Sequence, residues 1–287
     1  MTTRMMNTVS HPVTASTRSI TASAPSSTLP IYTMHSIRRF LRTGIIWTLA
    51  FGLYVAMIVL IFPSFRDSGA LDAVDNYPDA LKDAFGFDEM GTIGAFMFAE
   101  VYSYAPLVLA FLPIMAFAGA IAGAEERNGL DILLGTPMPR RDVVLSSWIG
   151  MAIVVFGVLA AVGIISWLSG LAVDAAFAFS DAMAASLNLY PITMAVGSLA
   201  LLLSAIFRSR GMVIGITFGV LFLMYLFDVI GKIVPEYDAI RWASAFRFYN
   251  NAIVDGFSWG NAVVLMVASV LLMLLAIPVF ERRDVYT

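Results

Sequence analysis

The chain has 287 residues, of which 60% are hydrophobic and 13% are charged, with a formal net charge of −3 and no cysteine. A soluble domain carries about 25% charged residues, so this composition excludes an ordinary soluble fold, and the lack of cysteine excludes disulfide and thiolate chemistry. Residues 1–30 are rich in serine and threonine, with no aromatic residue and no apolar core of a signal peptide. They predict a disordered tail ahead of a membrane domain at 31–287.

Residues 31–43, IYTMHSIRRFLRT, alternate apolar and basic side chains and end against the first long apolar run. This pattern predicts a separate N-terminal interfacial (elbow) helix that lies on the membrane surface. The alternative is an ordinary positively charged flank of the first span.

Six uncharged runs follow, at 45–62, 101–124, 143–173, 182–207, 211–227 and 256–280. A spanning helix needs about 20 apolar residues, with about 17 as the lower limit, and every run reaches it. Continuous runs favour helices over the alternating strands of a barrel. We therefore predict an all-α integral membrane protein with six transmembrane helices at about 44–62, 94–124, 143–170, 183–207, 211–230 and 260–281. Prolines in the second, fourth and sixth spans are expected to kink them.

Basic residues are distributed unequally between the two sides. The side with both termini holds ten arginines outside the tail, whereas the opposite loops hold five basic residues. The positive-inside rule therefore predicts cytoplasmic termini. Segment 231–259 is too polar to span and is rich in aromatic residues, which predicts a structure that dips into the outer interface.

An intramembrane enzyme is the first alternative class. It would need a nucleophile with a base, paired carboxylates or metal ligands within the spans. The chain has two histidines, both before the first span, and no HExxH, GxSxG or Walker-type phosphate-binding motif. Glu100 and Asp228 are the carboxylates nearest the spans. Glu100 is a functional candidate, or it reaches the headgroups or a loop arginine.

The segment EERNGLDILLGTPMPRRD at 125–142, here called the coupling segment, lies between the second and third predicted spans on the cytoplasmic side. Its centre, LDILL, is apolar and its flanks are charged. Helix-in-groove recognition uses a few apolar anchors framed by polar residues. The segment is therefore predicted to dock onto a cytoplasmic partner, since a plain solvated loop would not need these apolar residues.

Three stretches carry a family resemblance: AGAEERNGLDILLGTPMPRRDVVLSS, SIRRFLRTGIIWTLAFGLYVAMIVLIFPSFRDS and the ending VFERRD. Together they resemble the membrane permease subunits of ABC type-2 exporters, especially polyketide-antibiotic exporter permeases. The resemblance runs from about residue 36 to the C-terminus. Asn128 departs from the small or acidic residue of many members.

The resemblance implies a cytoplasmic coupling helix seated on an ABC ATPase subunit, and a re-entrant outer segment at 231–259. It implies two ATPase copies that bind ATP and Mg, no cofactor in this chain, a second six-span permease, membrane lipid but no nucleic acid as a partner, and the plasma membrane of a prokaryote. The implied coupling residues are Glu125, Glu126, Arg127, Gly129, Leu130, Leu133, Leu134, Pro137, Arg140 and Arg141.

Gly211, Gly215 and Gly219 form a GxxxGxxxG stripe in the fifth predicted span, which permits close helix contact either within one subunit or at a dimer seam. Faces with aromatic and methionine side chains adapt to apolar ligands and are either a central substrate cavity or plain core and lipid contact. The residues concerned are Phe111, Met115, Phe218 and Phe222.

Taken together, these features predict an ATP-driven exporter permease for a hydrophobic or amphiphilic substrate, such as a lipid, a drug or an antibiotic. Catalysis is expected in the partner and not in this chain. The alternative is a non-transporting membrane scaffold or sensor that associates with an ATPase.

Overall fold

The computed structural model describes residues 29–68, 82, 92–126, 139–173 and 178–283. Within these ranges the regular structure is helical throughout. Five helices are long and apolar enough to cross a membrane, and a bent pair provides a sixth crossing. The predicted all-α membrane fold is confirmed. We name the crossings in chain order: span 1 (Leu29–Asp67), span 2 (93–125), span 3 (Arg140–Leu171), span 4 (Phe179–Ile206), span 5 (Arg210–Ile233) and span 6 (Trp259–Glu281). The predicted tail lies outside the described residues, apart from its last two positions.

Span 1 corrects the prediction of a separate interfacial helix at 31–43. It is one helix of 39 residues, because no proline separates the basic stretch from the apolar run. Successive residues of span 1 contact successive residues of span 3. A Cβ on Gly150 would lie 2.8 Å from Ser36, one on Gly44 would lie 2.7 Å from Val154, and one on Gly52 would lie 2.6 Å from Ile165. The N-terminal part therefore packs along span 3, and the two helices run parallel.

Span 2 is broken rather than continuous. A short α-helix and a π-helical turn (Phe98–Tyr102) come first, and the chain then bends by 41° before Ala105–Ala120. The bend lies just before Pro106, which has no N–H to continue the preceding helix. A Cβ on Gly94 would meet Ile253 on the outer side, while Glu126 contacts the first residue of span 5. The pair therefore crosses the whole bundle.

Span 4 is the centre of the fold. Of its most apolar window, 72% is buried, against 22–28% for spans 1, 5 and 6. Its small residues permit close packing, and several of its polar side chains bond neighbouring spans. The Ser198 hydroxyl accepts from Trp148 Nε1 of span 3 and bonds Ser269 of span 6, both at 2.8 Å. A Cβ on Gly197 would lie 2.7 Å from Pro113, so span 2 also packs closely here.

The outer segment, defined from here on as residues 234–258, folds back between the spans. It contains two 3₁₀ helices, Pro235–Ala243 and Ala245–Phe248. Three hydrogen bonds to spans 5, 2 and 4 hold it: Ser244 Oγ to the Met224 carbonyl (2.6 Å), the Tyr249 hydroxyl to the Tyr102 carbonyl (2.9 Å) and Asn188 Nδ2 to the Asn250 carbonyl (2.8 Å). Each span residue lies nine positions from its helix end, or about 13 Å at the helical rise. The segment is therefore re-entrant.

The helix directions and the arginine asymmetry together predict which loops face the cytoplasm. Because the chain has no cysteine, single cysteines at Ser68, Ser258 and Ser209 report their location without background. Cysteines at Ser68 and Ser258 should react in intact cells with a thiol reagent that cannot cross the membrane, and a cysteine at Ser209 should react only after lysis. Labelling of Ser209→Cys in sealed cells would contradict the orientation.

Candidate coupling and translocation sites

The coupling segment is described only at its two ends. Arg127, Gly129, Leu130, Leu133, Leu134 and Pro137 lie outside the described residues, as does the side chain of Glu125, which ends the last helix of span 2. At the other end, Arg141 is exposed and faces Asp142 at 3.6 Å. Docking through this segment stays a prediction, and its ends show how it is attached to the bundle.

The span 2 end of the coupling segment is attached to span 5. Glu126 Oε1 accepts a hydrogen bond from the backbone N–H of Arg210 at 2.7 Å. Arg210 is the first residue of span 5, and the first N–H groups of a helix have no partner within it. A carboxylate is also favoured there by the helix dipole. The contact therefore ties the end of span 2 to the start of span 5.

The span 3 end is attached to span 6 through Arg140. Its guanidinium donates to the carbonyls of Phe280 (3.0 Å), Glu281 (3.3 Å) and Arg283, and it lies 5.5 Å from the centre of the Phe280 ring. The last carbonyls of a helix lack intrahelical partners and attract cations. Arg140 therefore caps span 6 through Nη1, and its contact with a partner stays a prediction.

Arg283 extends the same arrangement to span 4. Its guanidinium donates to the carbonyls of Ser204, Ala205 and Phe207 at 3.2–3.4 Å. Span 4 ends at Ile206, so these are again carbonyls at a helix end. The start of span 3 is thus linked to the end of span 6, which is linked to the end of span 4.

The residues predicted to line a substrate cavity lie on one face of spans 2 and 5. The Phe111 and Phe218 ring centres are 4.7 Å apart. Met115 and Phe222 are 42% and 45% exposed. Met115 and Phe222 are thus exposed, whereas Phe111 and Phe218 are partly buried and Phe218 packs against the core. Whether the face lines a substrate path stays a prediction.

The glycine stripe of span 5 is open. A Cβ added to Gly215 or Gly219 would meet nothing within 4 Å, and one on Gly211 would meet only Ser209 Oγ at 3.9 Å. In the described part of the chain no helix packs closely on Gly215 or Gly219, and the role of the stripe at a dimer seam stays a prediction. Their face continues that of Phe218 and Phe222, so spans 2 and 5 present one apolar surface outward.

A groove of about 380 Å³ adjoins this surface between spans 1 and 2. It is lined by Trp47, Ala50, Phe51, Tyr54, Tyr104 and Val108. Tyr104, Val108, Phe111 and Met115 follow one another at helical spacing, so the groove continues into the predicted cavity face. This groove could not be predicted from the sequence, because the residues of span 1 and span 2 that form it are separated by about fifty positions.

An ion-pair network around Asp228, here called the Asp228 cluster, attaches the outer segment to span 5. Asp228 is 3% exposed and contacts Lys232 Nζ at 2.8 Å and Arg241 Nε at 3.0 Å. Arg241 also contacts Asp238 at 2.9 Å, and Arg247 contacts Asp238 at 3.6 Å. The Asp228–Lys232 spacing of four residues predicts their ion pair from the sequence. The contact of Asp228 with Arg241 in the outer segment could not be predicted in this way.

The fold and these sites define a multi-span helical membrane protein with an open apolar face and with a coupling segment whose two described ends are attached to the bundle. A family model described as "ABC-2 family transporter protein" matches residues 34–285. The chain belongs to this family. It is thus a membrane permease of the ABC exporter type, a transporter subunit rather than an enzyme, and the family associates with ABC ATPase subunits. No curated protein matches the chain.

Removal of the Asp228 charge is expected to loosen the outer segment. Asp228→Asn loses two ion pairs, and hydrogen bonds to charged groups contribute about 1.5–3 kcal/mol each. Ala252 in this segment is 5% exposed, so a cysteine there should react with a thiol reagent roughly tenfold faster or more in the Asp228→Asn background.

Asp238→Asn is the matched control. Its side chain is 49% exposed and contacts the same Arg241, and exposed ion pairs contribute about 1 kcal/mol or less. It should therefore change the labelling rate much less. Equal rates in the wild type and the Asp228→Asn variant would show that the Asp228 cluster does not hold the segment.

Proposed function

We propose that the chain is the permease half of an ATP-driven exporter that moves a hydrophobic or amphiphilic substrate out of the cell. Two ATPase subunits bind ATP and Mg and dock onto the coupling segments of two permeases. Closing and opening of the ATPase dimer moves these segments, and the spans switch the path from inward to outward access.

The observation that carries the proposal is the attachment of the coupling segment at both ends. Glu126 ties its span 2 end to span 5, and Arg140 ties its span 3 end to span 6. Since Arg283 links span 6 to span 4, a displacement of the segment would act on five of the six spans. Arg140 then takes part by transmitting the movement within the permease.

The open apolar face supports a hydrophobic or amphiphilic substrate and a second permease. Met115 and Phe222 are exposed beside the stacked rings of Phe111 and Phe218, and adaptable aromatic and methionine surfaces suit varied apolar ligands. On the same face, the glycines of span 5 would let another helix approach closely. Two permeases facing each other would enclose a path between them.

A non-transporting scaffold or sensor is the competing function. It would bind the ATPase without a substrate-dependent cycle. Co-purification of the permease with its ATPase, followed by ATP hydrolysis measured with and without candidate amphiphiles, separates the two. Stimulated hydrolysis together with transport into inverted vesicles supports the exporter. A stable complex that neither transports nor responds to any amphiphile supports the scaffold.

The coupling segment should lose its partner when its apolar centre is charged. Full burial of a leucine contributes about 1.5–3 kcal/mol, so Leu133→Asp with Leu134→Asp should weaken docking by several powers of ten. The spans do not need these side chains, so the variant should insert and stay folded in detergent. Pull-down of the ATPase and vesicle transport are the measurements, and both should be lost.

Arg141→Ala is the control at the edge of the segment. The Arg141 side chain is 65% exposed and lies 3.6 Å from Asp142, so its loss should cost about 1 kcal/mol or less and depend on salt. Normal ATPase binding and transport by the double aspartate variant would reduce the coupling segment to a connecting loop.

A large side chain at Gly215 should leave the fold of a single permease intact but should disturb the contact between two permeases. Nothing lies within 4 Å of a Cβ at Gly215, so Gly215→Leu should leave the stability of the single chain unchanged while it reduces dimer formation. Gly215→Ala should be mild. Crosslinking and size-exclusion chromatography with light scattering measure the oligomeric state, and thermal unfolding measures stability.

Gly197→Ala provides the opposite behaviour in the same assays. A Cβ there would meet Pro113 at 2.7 Å and Phe117 at 3.1 Å, and overpacking costs about 1–3 kcal/mol. This variant should unfold at a lower temperature. A Gly215→Leu permease with a normal dimer would place the glycine face against lipid.

A further inference from the structure

Glu100 is a carboxylate inside the membrane-spanning region, and no ion pair in the described part of the chain includes it. It lies in the π-helical turn of span 2, seven residues after Ile93, or about 10 Å from the start of the span. It is half-buried. No hydrogen bond or ion pair in the described part of the chain uses its side chain. A carboxylate at this depth is costly unless a cation or a polar group compensates it.

Four basic residues of the outer side have carboxylate partners other than Glu100. Lys232, Arg241 and Arg247 contact the carboxylates of Asp228 and Asp238. Arg66, at the end of span 1, contacts its neighbour Asp67 at 3.1 Å. The expected pairing of Glu100 with a loop arginine is therefore not found in the described part of the chain. Among the described residues the Glu100 carboxylate therefore has no cationic partner, and a bound cation would supply one.

The surroundings of Glu100 are built from aromatic side chains. Its backbone carbonyl accepts hydrogen bonds from the hydroxyls of Tyr54 (2.8 Å) and Tyr104. Its carboxylate is close enough to the Tyr104 phenol to interact with it electrostatically. Both tyrosines line the groove of about 380 Å³, together with Trp47 and Phe51. The negative charge thus lies next to Tyr104, which lines an apolar groove with several aromatic rings.

We propose that this groove recognises amphiphiles that carry a positive charge. The cationic group would lie beside the Glu100 carboxylate and the rings of Tyr54 and Tyr104, since aromatic faces and carboxylates both attract cations. The apolar body would occupy the groove toward Val108, on the way to the predicted cavity face. This inference rests on the proposed export function and narrows its substrate class from amphiphiles in general to cationic ones.

The test uses two ions of nearly the same shape and opposite charge, tetraphenylphosphonium and tetraphenylborate. The full chain is purified in dodecyl maltoside, whose uncharged head cannot compete for Glu100, and binding of each radiolabelled ion is measured by scintillation proximity. The wild type should bind the phosphonium roughly tenfold or more tightly than the borate, because only the cation gains the attraction of Glu100. Equal binding of the two ions by the wild type overturns the proposal without any variant.

Glu100→Gln keeps the shape of the side chain and removes its charge. Its affinity for the phosphonium should fall by roughly tenfold or more, and its affinity for the borate should not fall. Asp181→Asn, which removes an outer-side charge from span 4, should leave both affinities unchanged. A Glu100→Gln variant that binds the phosphonium like the wild type overturns the assignment.

The outcomes also separate this inference from the export function. If the complex with the ATPase exports a neutral amphiphile while the phosphonium fails to bind, the substrate assignment is wrong and the exporter stands. If the phosphonium binds with the expected Glu100 dependence but no ATPase docks on the coupling segment, the groove is a binding site in a protein with another role.

Discussion

Backbone carbonyls and amides within a membrane have no water to bond, so each one that leaves a regular helix has to find a partner in the protein. This constraint explains where the chain places its few polar side chains. In the break of span 2, two tyrosines satisfy the Glu100 carbonyl, and Tyr249 of the outer segment satisfies Tyr102. At the helix ends on the side of the termini, Arg140 and Arg283 take the same role. The side chains that satisfy these backbone carbonyls therefore lie in the candidate sites.

Much of the fold could be predicted because lipid enforces long uninterrupted apolar runs, which can be counted directly. The start of span 1 could not be predicted in the same way. The basic residues of IYTMHSIRRFLRT indicate an interfacial helix, whereas Arg39 bonds the Gly119 carbonyl at 3.0 Å and span 1 continues through this stretch. Hydrophobicity marks the part of a helix that lies in lipid, but not where that helix begins.

The candidate sites were less predictable, because they depend on which faces meet. The sequence GxxxGxxxG is equally compatible with an internal and an external partner, and the empty space beside Gly215, which favours the external one, depends on how the spans pack. The groove beside Tyr54 and Tyr104 requires spans 1 and 2 to be placed side by side. The apolar centre of the coupling segment, by contrast, was recognisable from local contrast alone, and its docking stays a prediction because Leu133 and Leu134 lie outside the described residues.

The parallel packing of spans 1 and 3 has a consequence for biosynthesis. Gly44 receives Val154 and Gly52 receives Ile165, so the principal partner of span 1 is encoded about 110 residues later. At synthesis rates of about 5–20 residues per second, span 1 waits roughly 5 to 20 s in the bilayer before span 3 emerges from the ribosome. During this interval the surfaces at Gly44 and Gly52 lack their contacts with span 3 and face lipid or other nascent segments. The yield of the protein would then depend on the protection of span 1 at the insertion site as well as on the stability of the finished bundle.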